Sequence, residues 1–378
     1  MSTSADRQPG REPVAPVRGS QPAAHEPGAR APGTELLHAL RRGISIEPQP
    51  FATLLPGRPE SDTLRHVRAW LADGTLVDIS PVLDLRRLGI PTALVLARVP
   101  TSAVNETAAR VSADPGVSHN YLREATYNLW FTLAATEGPA PRASAGPAAS
   151  QTAAGRPGAQ GTLERRAARL LGDETPFLVL PALRYFKLGF GSRAPGGARR
   201  SRDATGADAT EAAELSDAER RLLDALQDGL RPKPRPFAEV GRTAGLSEGE
   251  AIAATRGLRE RSIIRRISGQ FVHDVAGDRI NSVICLELPE DKIESAGRVL
   301  AASSMVSHCI QRPTTPEWPY ALYVVAHAGT PSALEAFQRE SIESLKPSSY
   351  RALPATTVFK KARTKIRFAG QPRAALEG

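Results

Sequence analysis

The chain has 378 residues, 41% of them hydrophobic, which is enough apolar material for two or more domains with separate cores. Its 49 basic and 40 acidic side chains leave a formal net charge of +9, which favours nucleic acid or multiply carboxylated partners without distinguishing between them. The two cysteines, Cys285 and Cys309, form no CxxC pair, so neither a disulfide framework nor a zinc site is indicated. We therefore expect a protein of the reducing cytoplasm.

Segments of biased composition divide the chain. Residues 1–33 are rich in Pro, Gly, Ala and Arg, which predicts a disordered tail because so little apolar surface cannot offset the entropy of ordering. This segment lacks the apolar core of a signal peptide, and no run of about 18 apolar residues occurs elsewhere, so we expect no membrane span. We predict a long loop over 138–162, a linker over 191–213 and a second tail over 369–378.

The first half is expected to contain two domains. Residues 34–80 hold the helical segment LLHALRRG, the proline-rich stretch PQPF and the segment LRHVRAWLADG, and they predict a degenerate winged helix. Residues 81–190 are expected to form a ferredoxin-like domain that contains the long loop.

The second half follows the same plan with stronger signals. Within residues 214–275, Ser216 and Glu219 have the spacing of a capping box, and Ser247 is placed to cap a later helix. The segment IIRRISGQFVHD then predicts two short strands joined by a turn at 268–269. This order of elements is typical of a winged helix-turn-helix.

Residues 276–368 show strand and helix patterns in the order βαββαβ, which predicts a second ferredoxin-like domain with two helices on one face of an antiparallel sheet. Four segments recur in the same order in both halves: LLHALRRG with LLDALQDG, PQPF with PRPF, VSHNYLR with VSHCIQR, and LPALRYFK with LPATTVFK. The predicted fold is α+β, with two tandem copies of a winged helix followed by a ferredoxin-like domain.

The repeated VSHxxxR segment carries the candidate chemistry. It places His119 and Arg123 in the first copy, and His308 and Arg312 in the second, just ahead of an aromatic strand. Residues four apart on a regular strand point to the same side, so each imidazole should share a face with its guanidinium. Next to aromatic side chains, these groups suit a large flat ligand that carries carboxylates. The aromatic residues concerned are Trp130, Phe131, Trp318 and Tyr320.

Other chemistries have weaker support. The sequence has no His/Asp/Glu metal cluster, GxSxG elbow, Walker loop or dinucleotide fingerprint, so covalent nucleophilic catalysis and nucleotide chemistry are not predicted. The helix-turn-helix keeps DNA binding open as an alternative, although the first copy has a poor recognition helix. The arginines available for contacts with DNA are Arg256, Arg259, Arg261, Arg265 and Arg266.

The segments HNYLREATYNLWFT and RPTTPEWPYALYVVAH, in a chain of Lrp/AsnC-like units, resemble the siroheme decarboxylases of heme d1 and alternative heme biosynthesis. Two related subunits of that family occur as separate chains or fused, and this chain resembles the fused form. The resemblance implies that two acetate side chains of siroheme are decarboxylated to methyl groups, giving didecarboxysiroheme, without an organic cofactor. It also implies a pseudo-dimer within one chain that binds siroheme rather than DNA or a membrane; assembly with further copies or pathway subunits stays open. The alternative is a tetrapyrrole-responsive Lrp/AsnC-type transcription regulator.

The resemblance further implies roles for individual residues. Catalysis falls to His119, Arg123, His308 and Arg312, and either histidine could be an axial ligand to the siroheme iron. The substrate-binding residues that it implies are Tyr121, Tyr127, Trp130, Trp318, Tyr320, His327, Lys187, Lys360, Lys361 and Arg363. By its own context, His327 is equally compatible with a structural role. Two departures from the family pattern, Ile310 and Ala321, leave open whether both copies hold a complete site.

Overall fold

A computed structural model describes residues 32–135, 159–188, 212–271 and 280–368. The predicted tails, linker and loop lie mostly outside these described residues, but the first helix already begins at Pro32, within the predicted tail, and residues 212–213 of the predicted linker are described. The loop was predicted to extend to residue 162, but a helix already begins at Ala159. Within the described ranges, no helix has the length and apolar character that crossing a membrane requires.

Both copies contain ferredoxin-like elements in the predicted order, preceded by the helices and strand of a winged helix. The first copy consists of α1 (Pro32–Arg42), α2 (Glu60–Ala72), β1 (Leu76–Leu83), β2 (Thr92–Ala97), α3 (Val104–Ala113), β3 (Val117–Arg123), β4 (Leu129–Ala134), α4 (Ala159–Leu171), β5 (Phe177–Pro181) and β6 (Arg184–Leu188). The second consists of α5 (Asp217–Gln227), α6 (Pro236–Ala244), α7 (Glu248–Glu260), β7 (Ile264–Phe271), β8 (Ile280–Glu287), α8 (Glu290–Ala302), β9 (Val306–Gln311), β10 (Leu322–Ala328), α9 (Pro331–Leu345) and β11 (Ser349–Lys361).

The helix caps of the second copy follow the sequence prediction. Ser216 begins α5 and Ser247 begins α7, and each forms a full capping box with the glutamate three residues later. In the first copy, a turn near residues 50–55 replaces the short second helix, and no side chain caps α2. The first winged helix is therefore the degenerate one, as its prolines predict.

The predicted hairpin in the second winged helix is wrong. Residues Ile264–Phe271 form one continuous strand, β7, which pairs with β1 of the first winged helix in a two-stranded antiparallel ribbon. The chain after α1 joins this ribbon where Ile44 donates its N–H to the Ile267 carbonyl, and Leu230 donates to Ile79 in the same way. Each winged helix thus completes its wing with the other copy, and one hydrophobic core serves both.

The two ferredoxin-like units join into one nine-stranded sheet. The strand order is β5-β2-β4-β3-β11-β8-β10-β9-β6, and every neighbouring pair is antiparallel. Each copy contributes four strands in ferredoxin-like order, the first copy adds β6 at the far edge, and β11 of the second copy pairs with β3 of the first. The pseudo-dimer expected from the duplication is therefore built through the backbone of one sheet.

The repeated LPxxxxFK segment explains the exchange between copies. After Pro181 the first copy sends β6 onto β9, and beyond Pro354 the long strand β11 pairs with β3. Phe186 of β6 packs in the core of the second copy, whereas Phe359 of β11 packs against the core of the first. This segment therefore works as a reciprocal clasp between the two units.

Candidate active site

The sheet has one face covered by helices and a second face that carries the VSHxxxR side chains. Asn120 points to the helix side, because its amide donates to the Ala108 carbonyl of α3. His119, Tyr121 and Arg123 lie on the opposite side: the rings of His119 and Tyr121 are 5.9 Å apart, and the Arg123 guanidinium lies 5.2 Å from the Tyr121 ring centroid. The prediction that each histidine shares a face with its arginine is thus confirmed for the first copy.

The first repeated histidine is held by two hydroxyl groups. The Ser118 hydroxyl lies 2.9 Å from His119 Nδ1 and 2.6 Å from the Thr132 hydroxyl, which in turn accepts the backbone N–H of His119 at 3.2 Å. Burial, and secondly the positive charge of Lys361, lower the pKa of His119 to about 4. Its imidazole is therefore neutral at neutral pH.

The second repeated histidine is also held by the preceding serine, but the other partner of that serine differs from the one in the first copy. The Ser307 hydroxyl lies 2.9 Å from His308 Nδ1 and 2.8 Å from His327 Nε2. Burial lowers the pKa of His308 to about 3, and the neighbouring His119 and His327 side chains add to this effect, as do the cationic Arg265 and Arg312. The second copy therefore contains two imidazoles joined through one serine.

The two repeated histidines lie within electrostatic reach of each other, since a charge on His119 disfavours a charge on His308. Both histidines are only partly buried, although desolvation is the largest cause of their lowered pKa values. This combination is typical of groups in a recess of the surface, where solvent reaches them from one side only.

The repeated arginines, by contrast, point into the interior between the copies. Arg123 donates through Nη1 to the Leu353 carbonyl of the second copy, and Arg312 donates to the Leu180 carbonyl of the first at 2.6 Å. Both guanidinium groups are buried, and neither Nε has a hydrogen-bond partner within the described residues. Burial lowers both arginine pKa values, that of Arg123 to about 10, so both remain charged at neutral pH. Their hydrogen bonds are those of a symmetric link between the copies.

The expected aromatic wall is a packed core. The Trp318 ring lies 5.7 Å from Trp130, 5.9 Å from Tyr127 and 4.9 Å from Tyr320, always edge to face, and its Nε1 donates to the Tyr323 hydroxyl. Together with aliphatic residues of both copies, these rings form one buried cluster, in which edge-to-face packing fills the space between the copies. The expected flat stacking surface is thus corrected, and direct ligand binding by these rings stays a prediction. Tyr121, beside His119, lies outside this cluster, and burial raises its pKa to about 12.

The predicted cationic residues separate into two groups. Lys187 and Lys360 point to helix ends: their ammonium groups donate to the Ser303 carbonyl after α8 and to the Ser112 and Asp114 carbonyls after α3. Arg363 binds the wing ribbon through Ser80 and Ser268. These contacts are structural ones, and substrate binding by the three residues stays a prediction. Lys361 differs, since its register partner is His119 on the neighbouring strand.

Sequence reasoning does not place Arg265 near the repeated histidines. The sequence suggests it as a possible DNA contact, but β7 brings its guanidinium to the Leu188 carbonyl at 2.9 Å, and Leu188 is the register partner of His308. Each repeated histidine therefore has a nearby cation, Lys361 for the first and Arg265 for the second. No local pattern could reveal this, because Arg265 comes from the wing and reaches the site only through the tertiary fold.

Two other arginines proposed for DNA are also engaged within the protein. Arg256 donates to the Ile46 carbonyl of the other winged helix, and Arg261 binds Glu219 and the Glu214 carbonyl. Arg68 of α2 makes the contact equivalent to that of Arg256. Arg256 and Arg68 tie the two winged helices together, and Arg261 is paired within the second one, which weakens the DNA-binding alternative.

A cavity of about 390 Å³ lies away from the repeated histidines, between the two winged helices. It is lined by apolar side chains such as Leu71, Ile79 and Val240 and by acidic ones such as Asp228 and Glu239. Its acidic lining does not suit a carboxylated ligand, so we do not assign it to the candidate site.

Comparison with known proteins separates the chain from ordinary regulators. Residues 87–154 and 276–360 match the AsnC-like ligand binding domain, and residues 219–265 match the siroheme decarboxylase NirDL-like HTH domain. The chain is 30% identical over 336 residues to a siroheme decarboxylase of Hydrogenobacter thermophilus, covering 88% of this chain and 93% of that protein. The chain belongs to the siroheme decarboxylase family.

Relatives in this family come in long and short forms. The siroheme decarboxylase NirDL subunit of Paracoccus denitrificans is 30% identical, and the match covers 86% of this chain and 94% of that subunit. The NirH subunit of Pseudomonas aeruginosa is 32% identical but matches only 39% of this chain, while 88% of the subunit is covered. This decarboxylase therefore has the fused, two-copy form.

A solved structure of the family has the same fold. The crystal structure of the siroheme decarboxylase NirDL superposes with a TM-score of 0.60 at 28% identity, covering 89% of this chain and 94% of that one. The same match is obtained with the NirDL co-complex with an iron-uroporphyrin III analogue. The fold of this siroheme decarboxylase family member, two copies of an Lrp/AsnC-like unit, is thereby confirmed.

Proposed function

We propose that this protein removes carbon dioxide from the two acetate side chains of siroheme that become methyl groups, giving didecarboxysiroheme. The observation that carries the proposal is the pair His119 and His308: two neutral imidazoles, from equivalent strands of the two copies, in electrostatic reach of each other. Full-length similarity to siroheme decarboxylases supplies the substrate class.

The charges around the histidines suit a carboxylated macrocycle. Lys361 and Arg265 place one cation near each imidazole, and ammonium and guanidinium groups bind carboxylates by charge-assisted hydrogen bonds. Arg123 and Arg312 add buried positive charge behind this surface. Within the described residues, neither guanidinium pairs with an acidic side chain. The site should therefore attract the acetate and propionate groups of the substrate.

The chemistry requires one proton for each carbon dioxide. When the bond between the methylene carbon and the carboxylate breaks, the electron pair stays on the methylene carbon, where the conjugated macrocycle delocalises it. A proton transferred to this carbon completes the methyl group, and no electrons are gained or lost overall. We assign the proton transfer to His308, which has Ser307 and His327 behind it, and the axial contact with the substrate iron to His119.

Substrate binding should prepare the acid. Burial, with the neighbouring cations adding to it, keeps His308 neutral. A bound carboxylate offsets those cations. The imidazole can then give its hydrogen to the nascent carbanion while its other nitrogen receives a replacement, so that this reaction needs no organic cofactor in our proposal.

The test is anaerobic incubation of the purified full chain with siroheme, followed by mass spectrometry of the tetrapyrrole. We expect a mass loss of two carbon dioxide units without any added subunit, because the chain already contains both copies. An unchanged siroheme mass, combined with retardation of promoter DNA in a gel at moderate salt, would contradict the proposal and favour a tetrapyrrole-responsive regulator.

A further inference from the structure

The second copy contains a three-residue hydrogen-bonded chain that the first copy lacks. The buried Ser307 hydroxyl lies between two imidazole nitrogens, at 2.9 Å from His308 Nδ1 and 2.8 Å from His327 Nε2. A third contact of this hydroxyl, with the Val325 carbonyl, is longer at 3.4 Å. The two short contacts therefore determine how the hydroxyl hydrogen is shared.

A serine hydroxyl has one hydrogen to donate, and its oxygen accepts others. If Ser307 donates to His308 Nδ1, then His327 must present an N–H at Nε2 to the same oxygen. Under this arrangement His308 carries its own hydrogen on Nε2, the nitrogen that faces away from Ser307. The chain is thus continuous from His327 to the reactive edge of His308.

The equivalent chain of the first copy ends in an alcohol. Ser118 contacts His119 Nδ1 at 2.9 Å, but its second partner is the Thr132 hydroxyl, which is itself held by the His119 backbone N–H. Threonine does not titrate near neutral pH, so this chain can orient His119 but has no group at its end to resupply a proton. The difference between His327 and Thr132 therefore separates the two copies chemically.

We infer that His327 and Ser307 are positioning residues that relay a proton from water to His308, which makes the second copy the protonating half of the site. This inference rests on the decarboxylase function proposed above and specifies how its proton is supplied. His327 is only half-buried, whereas Ser307 is buried, so the relay begins at the more accessible imidazole.

The relay conserves atoms and charge. As His308 gives its Nε2 hydrogen to the methylene carbon, Ser307 passes its hydrogen to His308 Nδ1, His327 passes its Nε2 hydrogen to Ser307, and water supplies a proton to His327. The methyl group has gained one proton, water has lost one, and carbon dioxide leaves with the carboxylate oxygens. Exchange with water after product release restores the starting tautomers.

Among the titratable groups around His308, the relay residues offer a proton route that is already hydrogen-bonded. The groups that face His308 from the packed elements are His119 on β3, Arg265 on β7, Arg312 just after β9 and His327 on β10. Neither arginine gives up a proton in this pH range, and His119 is assigned to the iron. Among these groups, His327 alone is linked to His308 through a hydroxyl by the contacts described above.

The experiment compares variants of the full chain in the siroheme assay. Ser307→Ala removes the bridge, and His327→Gln retains hydrogen-bonding capacity but cannot relay a proton. We expect each to lower kcat by about 10-fold to 100-fold with little change in KM, since general acid transfer contributes about that much or more. Ser307→Thr, which retains a hydroxyl, should restore most of the rate, and added imidazole should rescue His327→Ala.

Ser282→Ala is the matched control. Ser282 is a buried serine on the neighbouring strand β8, and its hydroxyl has no hydrogen-bond partner within the described residues. We expect wild-type kcat and an unchanged melting temperature for this variant. If Ser307→Ala and His327→Gln match the control within about twofold, the relay is wrong although the decarboxylase function stands. If the wild-type chain releases no carbon dioxide from siroheme, the proposed function itself fails, and the relay with it.

Discussion

The two copies hold their repeated histidines in the same way and then differ. In both, a serine hydroxyl lies 2.9 Å from Nδ1 of the following histidine. Beyond the serine, the first copy offers the Thr132 hydroxyl and the second offers the His327 imidazole. Duplication has kept the serine that orients each ring, while the second partner of that serine decides which ring can be resupplied with protons.

The cations near the histidines differ in origin as well. Lys361 reaches His119 from β11, which has crossed over from the second copy, whereas Arg265 reaches the His308 region from the wing strand β7. An ammonium and a guanidinium are not equivalent carboxylate ligands, because only the guanidinium binds in a planar, two-point manner. The two half-sites should therefore hold different side chains of an asymmetric substrate.

The largest expected effect separates the two histidines. His308→Ala should lower kcat for siroheme decarboxylation by about 100-fold to 10,000-fold, the range for loss of a general acid. His119→Ala should instead weaken siroheme binding and alter the absorption spectrum of the bound iron. Rapid kinetics and anaerobic spectroscopy measure both. Equal losses of kcat, with identical spectra, would contradict the division of roles between the copies.

Substitution of either buried arginine should have the same effect, whereas substitutions of the two histidines should differ. Arg123→Ala and Arg312→Ala each leave a carbonyl of the other copy without its donor, so we expect each to lower the free energy of unfolding by about 1–3 kcal/mol. Urea denaturation of the two variants measures this. If one variant is wild-type in stability but inactive, that arginine binds substrate, as the sequence predicted, and the symmetric link is not its main role.

Stability should depend on pH through both histidines in the same direction. Their pKa values fall from 6.5 to about 4 for His119 and about 3 for His308, so the unfolded chain binds more protons than the folded one below pH 6.5. Stability from this source is present above pH 6.5 and is lost progressively as the pH falls from 6.5 towards these folded values. Urea denaturation of His119→Gln and His308→Gln at about pH 7 and about pH 5 should show a weaker acid loss than wild type, by a similar amount for each variant. An unchanged pH dependence would mean that neither ring is desolvated.

The smallest expected effect concerns the two clasp lysines. Lys187→Met and Lys360→Met each remove a cation from the end of a helix, and each should cost about 0.3–1 kcal/mol of unfolding free energy with kcat unchanged. Thermal melts and the siroheme assay measure both quantities. A rise in KM without any change in stability would instead support substrate binding by these lysines.

Much of the fold could be predicted from local patterns. The capping boxes at Ser216 and Ser247 and the βαββαβ order gave the units, and the repeated segments gave the pseudo-dimer. The hairpin in residues 264–271 was wrong because the partner of that strand lies nearly half a chain away, and β-strand patterns identify a strand without identifying its partner. The same limitation concealed Arg265, which is local to a wing and remote from His308 in sequence.

The sequence suggested the residues of the candidate site, but it could not show which part of that sheet face is covered and which is accessible. Strand spacing correctly placed His119 and Arg123 on one face, yet period-two alternation cannot tell whether that face is open or covered by a second sheet. Packing between the copies covers the arginine end and leaves the histidine end accessible.

The sequence by itself determined the duplication, the helix and strand content and the repeated imidazole and guanidinium pairs, because these are local and periodic properties of the chain. Only the tertiary structure decided that Arg123 and Arg312 link the copies, that Lys187 and Lys360 cap helices, and that Ser307 joins His308 to His327. Those roles depend on which buried polar groups meet across strands and copies, and burial forces each such group to find a partner that no local pattern specifies.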